Sequence, residues 1–260
     1  MFEAAEAYEQ LLGRWSRQLA PDFVEFAGVQ NGERILDVGC GTGSLSATLA
    51  KATRASKIVG IDQSENFVDY ARSKVHDSRA RFEVGDAQNL PFPDHSFDGS
   101  MALFIFNFIP NARKAMNEMR RVTRSGGVVA TANWDGSNAN ELVNGFFWDA
   151  AKATDPSVKR PSERPSAYGS AETLSDLLKQ AGLKDLAVRE FTLGCPFSCF
   201  NEYWQRYLLG EGPSGTYVAG LSADHRQRLK KHLRHDVLRG GNDGPFTLKA
   251  IAWGVRGIAP

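Results

Sequence analysis

Three glycines and three acids before residue 90 are placed to do chemistry. Gly39, Gly41 and Gly43 crowd the stretch ILDVGCGTGSLS, residues 35–46, with Asp37 just ahead of them. Bare backbone in a strand-to-helix turn lets a ligand lie against amide groups that a side chain would cover. Asp62 closes the stretch KIVGID, where a carboxylate can accept hydrogen bonds from two vicinal ribose hydroxyls. Asp86 lies in GDAQNLPFPDHSFD, where an acid beside the amide of Ala87 suits the exocyclic amine and ring nitrogen of an adenine. Three acids at the ends of consecutive strands would be costly unless something polar sat between them. The glycines follow G-x-G-x-G spacing, whereas a dinucleotide fingerprint, G-x-G-x-x-G, would put its third small residue at Ser44. A tight turn with no ligand is the plainer alternative for the glycines alone, as a helix N-cap partner is for Asp62.

The elements that must position these residues alternate. RILDVG reads as a buried strand, followed by a helix from Ser44 to about Arg54. KIVGID is a second strand and SENFVDYARSKV a helix that Ser64 can N-cap. ARFEVGDA is a third strand, FDGSMALFIF a fourth, and ARKAMNEMRRVT an amphipathic helix with SGG at 125–127 as its stop signal. VVATANW is a fifth strand. Such alternation predicts an α/β protein with a doubly wound, largely parallel sheet covered on both faces, and a ligand crevice at the carboxyl ends of the strands.

After Trp134 the pattern changes. NELVNGFFWDAAKAT is a helix rich in aromatics, and DPSVKRPSERPSAYGS, with three of the eleven prolines, is a loop. ETLSDLLKQAG is a helix, LKDLAVREFTL a sixth strand, residues 200–239 a second helical insertion, and FTLKAIAWGVRG a last strand. No stretch reads as a linker. Residues 1–260 are therefore expected to form one domain: a helical lead-in over 1–30, a ligand-binding core over 30–135, and cap insertions at 138–170 and 200–240.

Composition excludes several classes. Apolar residues make up 42% and charged residues 23% of 260, enough for a sizeable core. A formal net charge of +1 gives no mandate for nucleic acid or an anionic membrane. Cys40, Cys195 and Cys199 are too few for a disulfide framework, and CPFSC has no nearby histidine to complete a metal site, so no metal is expected. The beginning of the chain is acidic, without the apolar core of a signal peptide, and MALFIFNFI is too short to span a bilayer. The expectation is a cytoplasmic protein with reduced thiols.

Taken in order, ILDVGCGTG, VGIDQSENFVDYAR, FEVGDAQNLPFPDHSFD and RRVTRSGGVVATANWD resemble the motifs of class I S-adenosylmethionine-dependent methyltransferases, most closely the small-molecule subgroup that includes the ubiquinone/menaquinone methyltransferases. The resemblance covers about residues 30–135, and YEQLLGRWSRQLAPDFVEFAGV is similar to the helical lead-in of bacterial members. It implies a Rossmann-like sheet of seven strands, the last antiparallel, with S-adenosylmethionine as cofactor and S-adenosylhomocysteine as product. By the same resemblance Gly39, Cys40, Gly41 and Gly43 would line the methionyl part. Asp37 would order its ammonium group, Asp62 with Gln63 would hold the ribose, and Asp86 with Ala87 the adenine. Leu103 or Phe104 would flank the methionyl arm near the sulfonium. Tyr8, Arg14 and Trp15 would close over the cofactor, with Arg14 as partner for its carboxylate; the alternative for these three is an amphipathic helix packed on the sheet. Family members often carry two histidines where this chain has Asn107 and Phe108, and SGG stands where PGG is usual.

Methyl transfer from a sulfonium is an in-line displacement that needs alignment and exclusion of water more than a particular base. No catalytic residue is therefore demanded. His95, and His225, His232 and His235 in a basic helical stretch, read as solvated residues. Asn107, Trp134, Asp135 and Tyr168 are better placed for substrate. Phe146, Phe147 and Trp148, with Phe200, Tyr203, Trp204 and Tyr207, suggest a small apolar or aromatic acceptor, with Phe147 and Trp204 as wall residues; the alternative is that these rings build the insertions' own core. A nicotinamide-dependent oxidoreductase and a non-catalytic cofactor-binding protein are the competing readings, and a monomer or homodimer is expected.

Overall fold

The computed structural model describes residues 5–54, 57–136, 145–158, 167–210 and 212–260. Seven strands form one sheet in the order β3-β2-β1-β4-β5-β7-β6. They are β1 (Arg34–Val38), β2 (Lys57–Asp62), β3 (Ala80–Val84), β4 (Phe97–Leu103), β5 (Thr123–Trp134), β6 (Lys184–Phe197) and β7 (Phe246–Ile258). The order reverses between β1 and β4, which opens a crevice at their carboxyl ends. β1 pairs in parallel with β2 and β4, and β4 with β5, while β7 runs antiparallel to β5 with Val128 opposite Ile258 and Trp134 opposite Ala252.

The central strands are buried on both faces, so they read as near-continuous apolar runs: Ile35, Leu36 and Val38 in β1, Ile58, Val59 and Ile61 in β2. β3, at the sheet edge, buries only Phe82. Helices cover the sheet: α1 (Ala5–Tyr8), a π-helical turn at Glu9–Gly13, α2 (Arg14–Ala27), α3 (Ser44–Ala52), α4 (Glu65–Lys74), α5 (Ala112–Val122) and, after α6 (Gly145–Thr154), α7 (Ala171–Gln180). In α5 the buried positions Ala112, Ala115, Met116, Met119 and Val122 follow the three-four spacing of one helix face. The Asn111 side chain accepts from the Lys114 amide at 3.0 Å and caps its start.

Two local expectations are revised. β4 ends at Leu103 instead of reaching Phe106, because Phe104 takes a left-handed backbone, φ +64°, that breaks the ladder. The stretch SGG lies inside β5, with α5 already ended at Val122. There the Thr123 hydroxyl donates to the Met119 carbonyl at 2.7 Å and closes the helix. The pairing of β4 with β5 shifts register between Phe97 and Gly99, and Gly126 has a left-handed φ of +76°.

The described chain divides into two compact units. The larger holds residues 5–136, 167–191 and 252–260, and with them the parallel part of the sheet. The smaller holds residues 145–158 and 192–251, including α6, α8 (Phe200–Leu208), α9 (Gly212–Ala219) and α10 (Ala223–Val237). Within it α6 packs against α10, and a cluster of rings forms the core: Phe147 stacks on Tyr207 with centroids 4.4 Å apart, and Phe197 on Phe246 at 5.3 Å. The insertion residues 138–144 and 159–166 fall outside the described residues. No described helix is long and apolar enough to cross a membrane.

Candidate functional site

The three glycines of the turn all have left-handed backbones, with φ of +68°, +51° and +86° at Gly39, Gly41 and Gly43. Their surroundings differ. A β-carbon on Gly39 would strike the Ile105 side chain, and one on Gly43 would meet Val75 and Ala71. A β-carbon on Gly41 would meet nothing within 4 Å. Gly39 and Gly43 thus let the turn pack, while Gly41 presents bare backbone to open space.

Asp62 is tied to that open residue. Its Oδ2 accepts the Gly41 amide at 3.0 Å and its Oδ1 accepts the Ser64 amide at 2.9 Å. Burial raises its pKa, and the two backbone donors partly offset the rise. Each carboxylate oxygen keeps a lone pair beyond these bonds, so the group can still receive two hydroxyls. Gln63 beside it is exposed.

Asp37 lies deeper. It is 1% exposed and accepts the Ser46 hydroxyl at 2.6 Å. Burial pushes its pKa up to about 7, against the lowering effect of Ser46. Cys40 packs in an apolar cluster with Val68, Ala71 and Phe82, and its thiol donates to the Gly41 carbonyl at 3.9 Å. Asp86 is exposed at the end of β3, where its Oδ1 accepts the Gln88 amide at 2.8 Å; Ala87 is half-buried against the main core.

The lead-in reaches the same turn. Glu9, in the π-helical turn, accepts the Thr42 hydroxyl and pairs with Arg17. Gly13 makes this possible, since a side chain there would occupy the place of the Glu9 carboxylate. The Tyr8 hydroxyl lies 3.2 Å from Ser16 Oγ and its ring 5.5 Å from that of Phe67. Burial raises the Tyr8 pKa, and the charges of Asp62 and Asp37 add to the rise. The Arg14 guanidinium covers the Trp15 ring at 4.1 Å, and Trp15 is buried.

At the ends of β4 and β5 the Phe104 and Trp134 rings stack face to face, 3.9 Å apart and 7° from parallel. The Phe104 amide donates to the Ala132 carbonyl at 2.8 Å, which holds the strained residue in place. Leu103 is buried just before it. The substrate candidates do not fall together. Trp134 joins Phe104, whereas Asn107 and Tyr168 meet at Asn133, whose Nδ2 donates to the Tyr168 carbonyl at 3.2 Å and lies 3.5 Å from Asn107 Oδ1. Asp135 accepts the indole N–H of Trp253 at 3.0 Å. Phe147 and Trp204 are buried inside the smaller unit, Phe147 on Tyr207 and Trp204 beneath the Lys230 ammonium at 5.9 Å.

His95 precedes the start of β4, the far end of that strand from Leu103. Its Nδ1 lies 3.1 Å from the Thr123 carbonyl. His232 and His235 are exposed on α10, and His225 near its start lowers the pKa of Asp155 by its charge, after the Ser157 hydrogen bonds. No group of three metal-ligating side chains occurs among the described residues.

Sequence reading passed over Glu9, Thr42, Ser46 and Asn133. Ser46 carried a usable signal, a small polar residue beside Leu45 on the buried face of α3 and one turn into the helix from the glycines. Asn133 carried one too, a polar residue in the otherwise apolar run VVATANW.

The sheet order, with β7 between β5 and β6 and antiparallel to β5, defines the Rossmann-like methyltransferase fold. Residues 36–131 match the methyltransferase domain family. The demethylmenaquinone methyltransferase of Clavibacter sepedonicus is 34% identical over 175 residues, 63% of this chain and 70% of that protein. The solved YcgJ protein of Bacillus subtilis superimposes with a TM-score of 0.56 at 21% identity, covering 95% of this chain and all of that one. The phosphoethanolamine N-methyltransferase 2 of Haemonchus contortus, solved with S-adenosylhomocysteine, gives 0.58 at 18% identity, covering 98% of this chain and 57% of that one. The chain belongs to the methyltransferase domain family. It is an S-adenosylmethionine-dependent methyltransferase, and the nicotinamide and non-catalytic readings fall away.

Proposed function

We propose that the turn at residues 39–43 and the acids around it hold S-adenosylmethionine, and that the acceptor is a small apolar or aromatic metabolite. The observation that carries the cofactor site is the coupling of Gly41 to Asp62: open backbone and a carboxylate with spare lone pairs, joined by one hydrogen bond. Asp62 would receive the ribose hydroxyls, Asp86 with the amide of Ala87 the adenine, and the Gly41 backbone the methionyl arm. Asp37, held by Ser46, would face the ammonium group, which would favour its charged form. Tyr8, Arg14 and Trp15 would cover the site, latched through Glu9 and Thr42. On this reading residues 30–135 are the cofactor core and 1–30 its cover.

The bound cofactor supplies an electrophilic methyl on a sulfonium sulfur. The protein's own residues contribute alignment and dryness. Leu103 and the Phe104–Trp134 stack give an apolar wall at the end of β4, flat enough to lie along an aromatic ring. A quinone-like acceptor is in keeping with this wall and with the demethylmenaquinone methyltransferase relative. We place the protein in the cytoplasm as a monomer or homodimer, without a nucleic-acid partner, in keeping with its net charge of +1.

The test is methyl transfer from radiolabelled S-adenosylmethionine to a panel of hydroxynaphthoquinones, phenols, aliphatic acids and amines. Label in a ring-bearing acceptor is the expected result. Transfer only to small hydrophilic amines would overturn the acceptor class and leave the cofactor site standing.

A further inference from the structure

The smaller unit buries a cation that methyl transfer does not use. Arg206 lies on α8 with 7% of its surface exposed. Its guanidinium carbon stands 5.7 Å from the ring centre of Tyr203 and 5.8 Å from those of Phe197 and Tyr207. Its Nε and Nη1 are sealed from solvent and have no hydrogen-bond partner among the described residues. Arginine is almost never buried unless paired, because a cation stripped of water without a counter-charge is strongly penalised. Rings near 6 Å attract it only weakly and satisfy none of its donors. The tyrosines do not supply the missing charge. The Tyr207 hydroxyl donates to that of Tyr203 at 2.7 Å, and burial pushes both phenols further from ionising.

We propose that Arg206 anchors an anion site taking a small organic carboxylate, with the charge on the guanidinium and the apolar body among the rings. The planar fork of donors fits a carboxylate in two parallel bonds. A monoanion cancels the single positive charge, whereas a phosphate dianion would leave net negative charge among the same rings. Phe197, Tyr203 and Tyr207 are each nearly or wholly buried, an environment for a hydrocarbon body more than for a hydrated ion. The site concerns the smaller unit alone and does not depend on the acceptor reading.

The experiment titrates the full chain with benzoate, with benzamide as a neutral isostere and inorganic phosphate as a second anion, following heat and Tm. Wild type is expected to bind benzoate and gain Tm from it, and to bind benzamide and phosphate less well. Arg206→Met should weaken benzoate about 10- to 100-fold, as loss of a charged hydrogen-bond pair does. Without benzoate it should melt no lower than wild type, an unpaired buried charge having gone. Arg206→Lys, which keeps the charge and loses the fork, should fall between. Failure of benzoate to bind wild type, equal binding of benzoate and benzamide, or benzoate affinity unchanged in Arg206→Met would make Arg206 a packing strut. Tighter binding of phosphate than of benzoate would overturn the carboxylate class. If the methionine variant does not fold, the lysine variant and the benzoate–benzamide pair still decide.

Discussion

The amide of Gly41 donates to Asp62 at 3.0 Å, so the open residue of the glycine turn and the acid closing β2 form one hydrogen-bonded unit. The acid fixes the turn, and the turn leaves the acid half of its accepting capacity. Asp62→Asn keeps an acceptor and loses the charge, while Asp62→Ala also frees the Gly41 amide. S-adenosylhomocysteine affinity should fall about tenfold in the first and 100-fold in the second, by the worth of hydrogen bonds to a charged group. Calorimetric titration reads both, with far-ultraviolet circular dichroism unchanged.

Gly39→Ala and Gly41→Ala should separate packing from binding. Both force a side chain into left-handed backbone, at about 1–2 kcal/mol. The Gly39 variant adds a clash with Ile105 and should lose a further ~1–3 kcal/mol in urea unfolding. The Gly41 variant meets no neighbour among the described residues, so its stability loss should stay small while S-adenosylhomocysteine binding drops at least about tenfold if the proposed site holds the ligand there.

Much of this was legible in advance. The strand–helix alternation and the acids at strand ends follow from apolar runs and residue type, which is why β1, β2 and the turn between β1 and α3 agree with the sequence reading. The end of β4 was not legible. FIFNF looks like continuing strand, and the partners of the left-handed Phe104, the Ala132 carbonyl and the Trp134 ring, come from a strand far along the chain. The position of Asp37 suits a ligand-facing role, but its hydrogen bond from Ser46, nine residues on, depends on how α3 packs against β1 and has no sequence signature of its own. The rings at Phe147 and Trp204 could have faced a pocket or one another. Their burial on Tyr207 and under Lys230 was set by α6, α8 and α10 packing together, which no local pattern encodes.

The buried Asp37 makes stability depend on pH. Its folded pKa, about 7, lies above the ordinary 3.8, so the native state holds a proton that the unfolded chain has released between those values. Stability from this group is full below about pH 4 and is lost as pH rises through 7. Urea midpoints of the ligand-free protein at pH 5 and pH 8, set against Asp37→Asn, should show the variant gaining on wild type as pH rises. A constant difference would contradict the burial of Asp37. If Asp37 faces the cofactor's ammonium, cofactor binding at pH 6.5 should also release a proton, seen as a buffer-dependent heat.

The stack of Phe104 on Trp134 should act on acceptor and not on cofactor. Trp134→Phe keeps a ring and removes an indole N–H that has no partner among the described residues, so kcat/KM should change by less than about threefold. Trp134→Ala should lower kcat/KM by at least about tenfold with S-adenosylhomocysteine affinity unchanged. Equal losses in both readouts would place the stack in the cofactor site.

The most direct measurement is calorimetric titration of the purified protein with S-adenosylhomocysteine, with NADH in a parallel cell and Asp62→Ala alongside. One S-adenosylhomocysteine should bind per chain, NADH should give no heat, and the variant should lose the first signal. Wild-type affinity in Asp62→Ala would contradict the site built on Gly41 and Asp62.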